Sequence, residues 1–366
     1  MRLTQISYKN YRNIASARLV PSPEVTHIGG MNGQGKTNLL EGIYLFASGR
    51  SFRTSHDAEL IRDGERYAEL AIEAESEIYG KTNMVIRWDR ETRKRFCKRN
   101  SVPMTLMSEM IGTFRAVLFC PQHLSLVCDG PGARRAFIDV ALSQSEGAYL
   151  SSLRRYNNIL AQRNALLKAC RDKRTPEKFL ETAEIWSEQL ATEAEFIAAR
   201  RDAYIKKLSE HVGVFIGDMT AGKESASLTY KTPRDKAGYM KLLTENTETE
   251  LRAGCTLYGV HKDDIAITLS DRDARAYASR GQQRSIALAM KLAEGEISKE
   301  KSGEYPVFLF DDVLSELDSV RREYLLAGTK GRQVIMTSCE SGGGLASLTL
   351  FVQNGEIFTS DPTICR

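Results

Sequence analysis

No stretch of the 366 residues comes near the roughly 18 uninterrupted apolar positions that a membrane-spanning helix needs, so no bilayer span is expected. Cysteine is sparse and unpatterned: Cys97, Cys120, Cys128, Cys170, Cys255, Cys339 and Cys365 form no CxxC pair and no zinc spacing. A disulfide scaffold and a zinc ribbon are thereby excluded. An odd, scattered set in a chain of this size reads as reduced thiols in a cytoplasm, most of them small buried hydrophobes. An excess of one charge is missing as well. Fifty-one Lys and Arg against 47 Asp and Glu leave +4, which excludes a histone-like polycation and leaves room for a local basic patch. Residues 1–6 alternate like a strand and lack the apolar core of a signal peptide, so no leader is expected.

What is there is ordinary in bulk. A hydrophobic fraction of 42% with 27% charged residues is the composition of a soluble globular chain. At roughly 150 residues per domain, the length suggests two or three folding units. The first third reads as strands: around Leu3, Ile6 and Tyr8, through Val25 to Ile28, over 67–88, and from Ala116 to Phe119, where Pro121 stops the run. Beyond Gly147 the period changes. Tyr149, Leu153, Tyr156, Leu160, Leu167 and Cys170 mark one face of a helix, and Thr175-Pro176-Glu177 reads as the start of a second helix that carries Phe179 to Ile197 and runs on to Leu208. The pair predicts an antiparallel hairpin, a helical lobe in preference to a coiled-coil arm, because few heptads are present. After a polar connector at 222–235, strands and helices alternate from Leu257 onward, which predicts an α/β fold with a partly parallel sheet.

Three motifs carry chemistry. Gly30-Met31-Asn32-Gly33-Gln34-Gly35-Lys36-Thr37 fits G-x-x-x-x-G-K-[ST] between an apolar strand and a helix. Its glycines let backbone N–H groups turn toward phosphate oxygens at a helix N-terminus. Lys36 is expected on the β- and γ-phosphates and the Thr37 hydroxyl on Mg²⁺. Next, residues 306–312 form an apolar run ending in Asp311-Asp312, a strand buried on both faces with carboxylates at its C-terminal end. Asp311 is the expected Mg²⁺ partner, and Asp312 beside it orients or deprotonates an attacking water. The plainer alternative is two aspartates capping the next helix. Third, Ser279-Arg280-Gly281-Gln282 opens a run of helix formers, either an ordinary N-cap or an anion-binding helix start. P-loop, Ser-x-Gly helix start, acidic strand and Ser315-Glu316-Leu317-Asp318 occur in the order found in ABC-type ATPases, where the last two are the acidic strand and the D-loop.

These motifs, with Asn10-Tyr11-Arg12-Asn13, Gly49-Arg50-Ser51-Phe52-Arg53, Gly259-Val260-His261-Lys262-Asp263-Asp264 and the Asp-Asp-Val-x-Ser-Glu-Leu-Asp form at 311–318, resemble one family over almost the whole chain: the RecF family of bacterial DNA-repair ATPases, related to the heads of SMC and Rad50 proteins. The resemblance implies an ABC-type P-loop ATPase head, with a mixed-sheet lobe (1–122 with 256–366) interrupted by a helical lobe (123–255) and no long coiled coil. It implies ATP and Mg²⁺ as ligands and a head-to-tail homodimer closed by ATP. In that dimer Ser279, Arg280, Gly281 and Gln282 of one chain meet the γ-phosphate held by Lys36 of the other. It further implies a weak, DNA-dependent ATPase of recombinational gap repair that clamps DNA at single-strand gaps and helps load recombinase with RecO- and RecR-type mediators. Gln122, after Cys120-Pro121, stands where a Q-loop ligand of Mg²⁺ and water is expected, and Thr337-Ser338 stands where transporters place a switch histidine. Two further readings are a transport-ATPase subunit, which the missing histidine and the Asp-Asp strand end disfavour, and a dimerisation scaffold with vestigial hydrolysis.

For DNA, the segment 87–99 concentrates base: Arg87, Arg90, Arg93, Lys94, Arg95, Lys98 and Arg99 against Asp89 and Glu91. It reads either as a hairpin tracking phosphates or as a solvated face. Arg134, Arg135, Lys206 and Lys207 are lesser candidates. No groove-reading helix is visible, so binding is expected to be backbone-directed and independent of sequence. His261, with no second ligand at metal spacing, is expected in a structural role near the nucleotide.

Overall fold

The computed structural model describes residues 1–173, 175–231, 234–339 and 346–360; Cys365 lies outside them. The chain opens with β1 (Arg2–Tyr11), β2 (Ile14–Leu19) and β3 (Val25–Gly29), followed by α1 (Lys36–Ser48). Then come β4 (Tyr67–Ser76), β5 (Gly80–Asp89), β6 (Arg95–Arg99), β7 (Val102–Met104) and β8 (Ala116–Phe119). Helices α2 (Pro131–Ser145), α3 (Gly147–Lys173) and α4 (Ala183–Met219) precede β9 (Ala226–Lys231), β10 (Asp264–Leu269) and β11 (Arg272–Asp273). The remainder is α5 (Arg280–Ser302), β12 (Val307–Asp311), α6 (Ser319–Gly328), β13 (Val334–Thr337), β14 (Leu348–Gln353) and β15 (Glu356–Phe358). Among the described residues, no helix is long and apolar enough to cross a membrane.

Two compact units result. The first takes Met1–Ser125, Asp218–Gly222 and the described residues from Ser279 onward. It holds two six-stranded sheets. In the antiparallel one (order β2-β1-β4-β5-β6-β7), strand alternation buries Ala68, Leu70, Ile72, Met84, Ile86 and Trp88 and turns the intervening residues outward. In the other (β15-β14-β3-β13-β12-β8), β14, β3, β13, β12 and β8 run parallel and β15 lies antiparallel at the edge. Every residue of β8, β12 and β13 is buried, which is why those runs are continuously apolar. Helix α1 lies in the same unit with Leu39, Leu40, Ile43, Leu45 and Phe46 buried, each contributing on the order of 1.5–3 kcal/mol.

The second unit takes Leu126–Gly217 and Lys223–Ala278. The sequence boundary at 255/256 falls inside it, because β10 pairs antiparallel with β9 along its whole length and holds residues 264–269 to the helical unit. The two long helices are present, but α4 starts later than Thr175-Pro176 suggested. A short helix at Glu177–Leu180 first tucks Phe179 against Leu167 and Cys170, and α4 then runs past Leu208 to Met219. An ion pair buried on both sides, Arg163–Glu250 at 2.6 Å, and the Arg201–Asp139 pair at 2.8 Å sit within this unit. His261 belongs here too. Its Nδ1 lies 2.6 Å from the Tyr156 hydroxyl and its Nε2 3.2 Å from Thr256 O, and burial pushes it down to about 4. Asp264 accepts from Arg134 at 2.8 Å, and the Asp263 carbonyl accepts from Arg135 at 2.7 Å, so both of those arginines are engaged inside the unit.

Candidate functional site

The parallel sheet aims β3 and β12 the same way, so the loop after β3 and the carboxylates ending β12 meet at one edge. Gly30 holds φ 141°, and a Cβ there would sit 2.5 Å from Val352 O on β14, so only glycine lets the loop leave the sheet at this point. Gly35, at φ 114°, opens α1. No side chain caps that helix and its first turn carries no acid, which leaves its N–H groups and partial positive charge for an anion. Lys36 Nζ reaches back across the loop to Gly30 O at 2.5 Å and Met31 O at 3.0 Å, with Cys339 Sγ at 3.4 Å. Asn32 Oδ1 in turn accepts from that thiol at 2.9 Å.

Thr37 Oγ1 donates to Asp311 Oδ1 at 2.8 Å. The Asp311 carboxyl is buried, and burial lifts it above the usual carboxylate range against hydrogen bonds from Thr37 and Thr337 and the nearby Arg53 cation. A hydroxyl and a carboxylate held together are the hard oxygen donors that Mg²⁺ takes when it completes its shell with phosphate oxygens and water, so the donor set fits that ion. Asp312 follows at φ 50°, a left-handed conformation uncommon for a non-glycine residue.

Thr337 explains how that conformation is held. It lies opposite Asp311 in the parallel register. Its Oγ1 donates to Asp311 Oδ1 at 3.0 Å and accepts from Asp312 N at 3.0 Å, while its carbonyl accepts from the same amide at 3.2 Å. One residue therefore anchors the Asp311 carboxylate and the Asp312 backbone. Thr337→Val, which keeps the shape and the main-chain bond but removes the two hydroxyl bonds, is expected to slow ATP turnover about tenfold or more while changing ATP affinity much less, and Thr337→Ser is expected to restore the rate. Steady-state kinetics beside equilibrium nucleotide binding checks this; equal losses in both would make Thr337 merely structural.

Behind the loop runs a chain of side chains that the motifs contained without assigning a role. Arg53 donates to Asn38 Oδ1 at 2.6 Å, Asn38 to Asn13 Oδ1 at 2.7 Å, and Asn13 to Gln34 O at 3.0 Å, while Asn354 N donates to Gln34 Oε1 at 2.7 Å. Arg12 clamps the buried Glu41 at 2.8 and 2.9 Å, joined by Tyr11 at 2.9 Å and Ser51 at 2.5 Å. Burial opposes the charge on Glu41, yet those hydrogen bonds outweigh it and hold the carboxyl below its usual range. The signal was present in sequence as the two polar clusters at 10–13 and 49–53, but only folding shows that both close on α1.

Gln122 is exposed on the turn after β8, the strand that neighbours β12. Ser279 caps α5: its Oγ accepts from Gln282 N at 3.3 Å and its own N–H donates to Gln282 Oε1 at 2.7 Å. The start of α5 is tied to the D-loop. Arg284 donates to Glu316 O at 2.7 Å and Oε2 at 2.8 Å, and Arg321 bridges Ser285 Oγ at 2.7 Å and Asp318. Thus Lys36, Thr37 and Asp311 converge, with Asp312 next along the chain, and Ser279 to Gln282 form the capped start of α5.

The basic segment 87–99 is divided by the pleat. Arg95 pairs with Asp57 and Arg99 donates to Thr113 at 3.2 Å, both being in register with buried residues of β5. Arg90 is committed to the Ile61 and Arg62 carbonyls at 3.3 and 3.2 Å. Arg87 and Lys98 lie on the opposite, outer face, and Arg93 and Lys94 are exposed in the turn. That turn borders a cavity of about 430 Å³ lined in part by His56, Trp88, Arg90, Arg93 and Lys94.

The sequence pattern of the RecF/RecN/SMC N-terminal domain family matches residues 2–344. The chain is 36% identical over 371 aligned positions to the DNA replication and repair protein RecF of Desulfitobacterium hafniense, covering 98% of this chain and 99% of that protein. In structure it is similar to the recombination mediator protein RecF-ATP of the RecFOR pathway, with a TM-score of 0.90 at 30% identity, covering 98% of this chain and 97% of the other. An SMC head bound to the winged-helix domain of ScpA shares the fold at a TM-score of 0.60 and 17% identity, with 100% of each chain covered.

Proposed function

The chain belongs to the RecF family, and from that premise we propose that it is an ATPase of recombinational DNA repair that dimerises on ATP and grips DNA without reading its sequence. The observation that carries the reading is the meeting of Lys36, Thr37 and Asp311 at one sheet edge, the last two 274 residues apart in sequence and 2.8 Å apart in space. The solved relative that carries ATP, together with the open N-terminus of α1, supports ATP as the ligand. In this mechanism the loop amides and Lys36 bind the phosphates, and Thr37 and Asp311 would hold Mg²⁺. The ion would supply charge neutralisation on the transferring phosphoryl group. Asp312 orients and deprotonates the attacking water, held in place by Thr337. Gln122, beside the β12 end, helps position that water. With a carboxylate one methylene shorter than the usual glutamate, turnover is slow.

Ser279 and Gly281, on a helix end separate from the loop, serve a second copy: each active site is completed by the other subunit's Ser279 to Gln282. Dimerisation is therefore linked to ATP, and hydrolysis releases the pair. Lys94 and Arg93 contact the DNA backbone, helped by Lys98, and mediators of the RecO and RecR type use the loaded state to place recombinase at gaps. Sedimentation velocity of the full chain is expected to show a monomer without nucleotide and a dimer with ATP and Mg²⁺, and gapped duplex is expected to co-sediment with the dimer. A single unchanged boundary under all three conditions would rule out the clamp.

A further inference from the structure

The chain leaves β13 through Thr337-Ser338-Cys339, and the three side chains meet three different partners. Thr337, in register with Asp311 and Ile28, turns to the carboxylate strand. The period of two turns Ser338 to the other face, which Met336 shares with its register partner His27 on β3. There Ser338 Oγ lies 2.8 Å from His27 Nε2, with both residues buried. Cys339 comes next, its Sγ 3.4 Å from Lys36 Nζ and 2.9 Å from Asn32 Oδ1 in the phosphate loop.

His27 is 1% exposed and packs beneath the start of that loop. A Cβ on Gly29, the residue before Gly30, would lie 3.3 Å from its Cε1. A phenyl ring would fill the same space without stripping water from two nitrogens, so packing alone does not account for an imidazole. Among the described residues its second nitrogen, Nδ1, is buried with no partner. A proton on Nδ1 would be a buried donor left unsatisfied, so the favoured tautomer carries it on Nε2 and donates to Ser338 Oγ. Burial, and after it the Lys36 cation, pushes the ring below its usual range, which keeps it neutral at pH 7. The one polar bond this ring makes therefore goes to the strand end that leads to Lys36.

We propose that His27 is a positioning residue for the terminal-phosphate end of the site: through Ser338 it fixes the end of β13, so that Cys339 stays against Lys36 and Asn32. The histidine missing from the switch position is replaced by one on the neighbouring strand, acting from behind the loop. The inference rests on the reading of the chain as an ATPase and adds a residue that makes the site sensitive to the third phosphate. ADP and ATP share every loop contact except those to that phosphate, so a misplaced strand end costs ATP more than ADP.

The test compares the full chain with His27→Phe, which keeps a buried ring and removes both nitrogens, and with His27→Gln, whose amide can donate from the Nε2 position. Turnover and equilibrium affinities for ATP and ADP are measured on each. His27→Phe is expected to lower kcat about tenfold and ATP affinity about threefold while ADP affinity stays within about twofold, and His27→Gln to regain most of both losses. Ser338→Ala removes the other end of the bond and is expected to reproduce the Phe variant. The double variant should then be no worse than either single one, as befits one shared contact. If His27→Phe does not fold, Ser338→Ala carries the same prediction alone. Equal losses for ATP and ADP, additive effects in the double variant, or no recovery with Gln would make His27 an ordinary core residue and overturn the proposal. Variants that match a wild type active on ATP overturn it too and leave the ATPase reading standing. A wild type that binds no nucleotide removes both.

Discussion

Lys36→Met is expected to abolish the proposed ATP-induced dimerisation and to lower ATP affinity by about 10²–10⁴-fold, since an ammonium bonding to phosphate contributes roughly 1.5–3 kcal/mol per charged hydrogen bond and this one is placed to make two. The choice of methionine matters. The Lys36 stem is largely buried, so an unbranched apolar chain of similar length preserves its packing and removes only the charge. The thermal unfolding midpoint of the variant should therefore stay close to the wild type, separating a binding defect from a folding defect. Titration with a fluorescent ATP analogue and sedimentation velocity read the two effects, and an unchanged sedimentation response to ATP in the variant would remove nucleotide from the dimer interface.

Asp312→Asn has the opposite signature. The variant is expected to bind ATP, dimerise, and then persist as a dimer, with turnover about 10²–10⁴-fold lower, the usual loss when a positioned base is removed. Asparagine is the informative replacement because the residue sits at φ 50°, a region that Asn tolerates well and Ala poorly. An alanine variant would add backbone strain to the chemical defect and confuse the two. Single-turnover hydrolysis and the lifetime of the ATP-bound dimer are the measurements. Wild-type turnover in the Asn variant would take Asp312 out of the reaction. Normal binding and release of DNA despite lost turnover would favour the scaffold reading, in which hydrolysis has no duty.

The two variants depend on residues that the sequence makes legible, and the reason is physical. A P-loop is contiguous because one helix N-terminus must hold one phosphate chain, so its glycines, Lys36 and Thr37 occupy a single window of sequence. Asp311 was readable because a strand buried on both faces announces itself as an unbroken apolar run. Thr337 was not, since its meaning lies in the parallel register that sets it opposite Asp311, and register between strands joined by a helix leaves no mark in either strand alone. The same limit moved the unit boundary: nothing in residues 264–269 shows that their partner is β9. The basic segment is a different kind of case. Its seven cations are adjacent in sequence, yet a period of two sends Arg95 and Arg99 inward and Arg87 and Lys98 outward. That parity was available by counting, once a hairpin was assumed.

The order of strands in the parallel sheet also sets a timetable. Among the described residues strand β3, which launches the phosphate loop, has β13 and β14 as its sheet neighbours, and β13 begins at Val334 while β3 ends at Gly29, 305 residues earlier. At a synthesis rate of about 5–20 residues per second, the ribosome needs roughly 15–60 s to deliver the first of those neighbours. For that interval the nascent chain carries an apolar strand with open edges and no catalytic loop worth the name. A truncated product lacking the last strands is consequently not a partly active enzyme but an unfinished sheet, and the cell's burden with this protein falls during translation, before it has bound its first nucleotide.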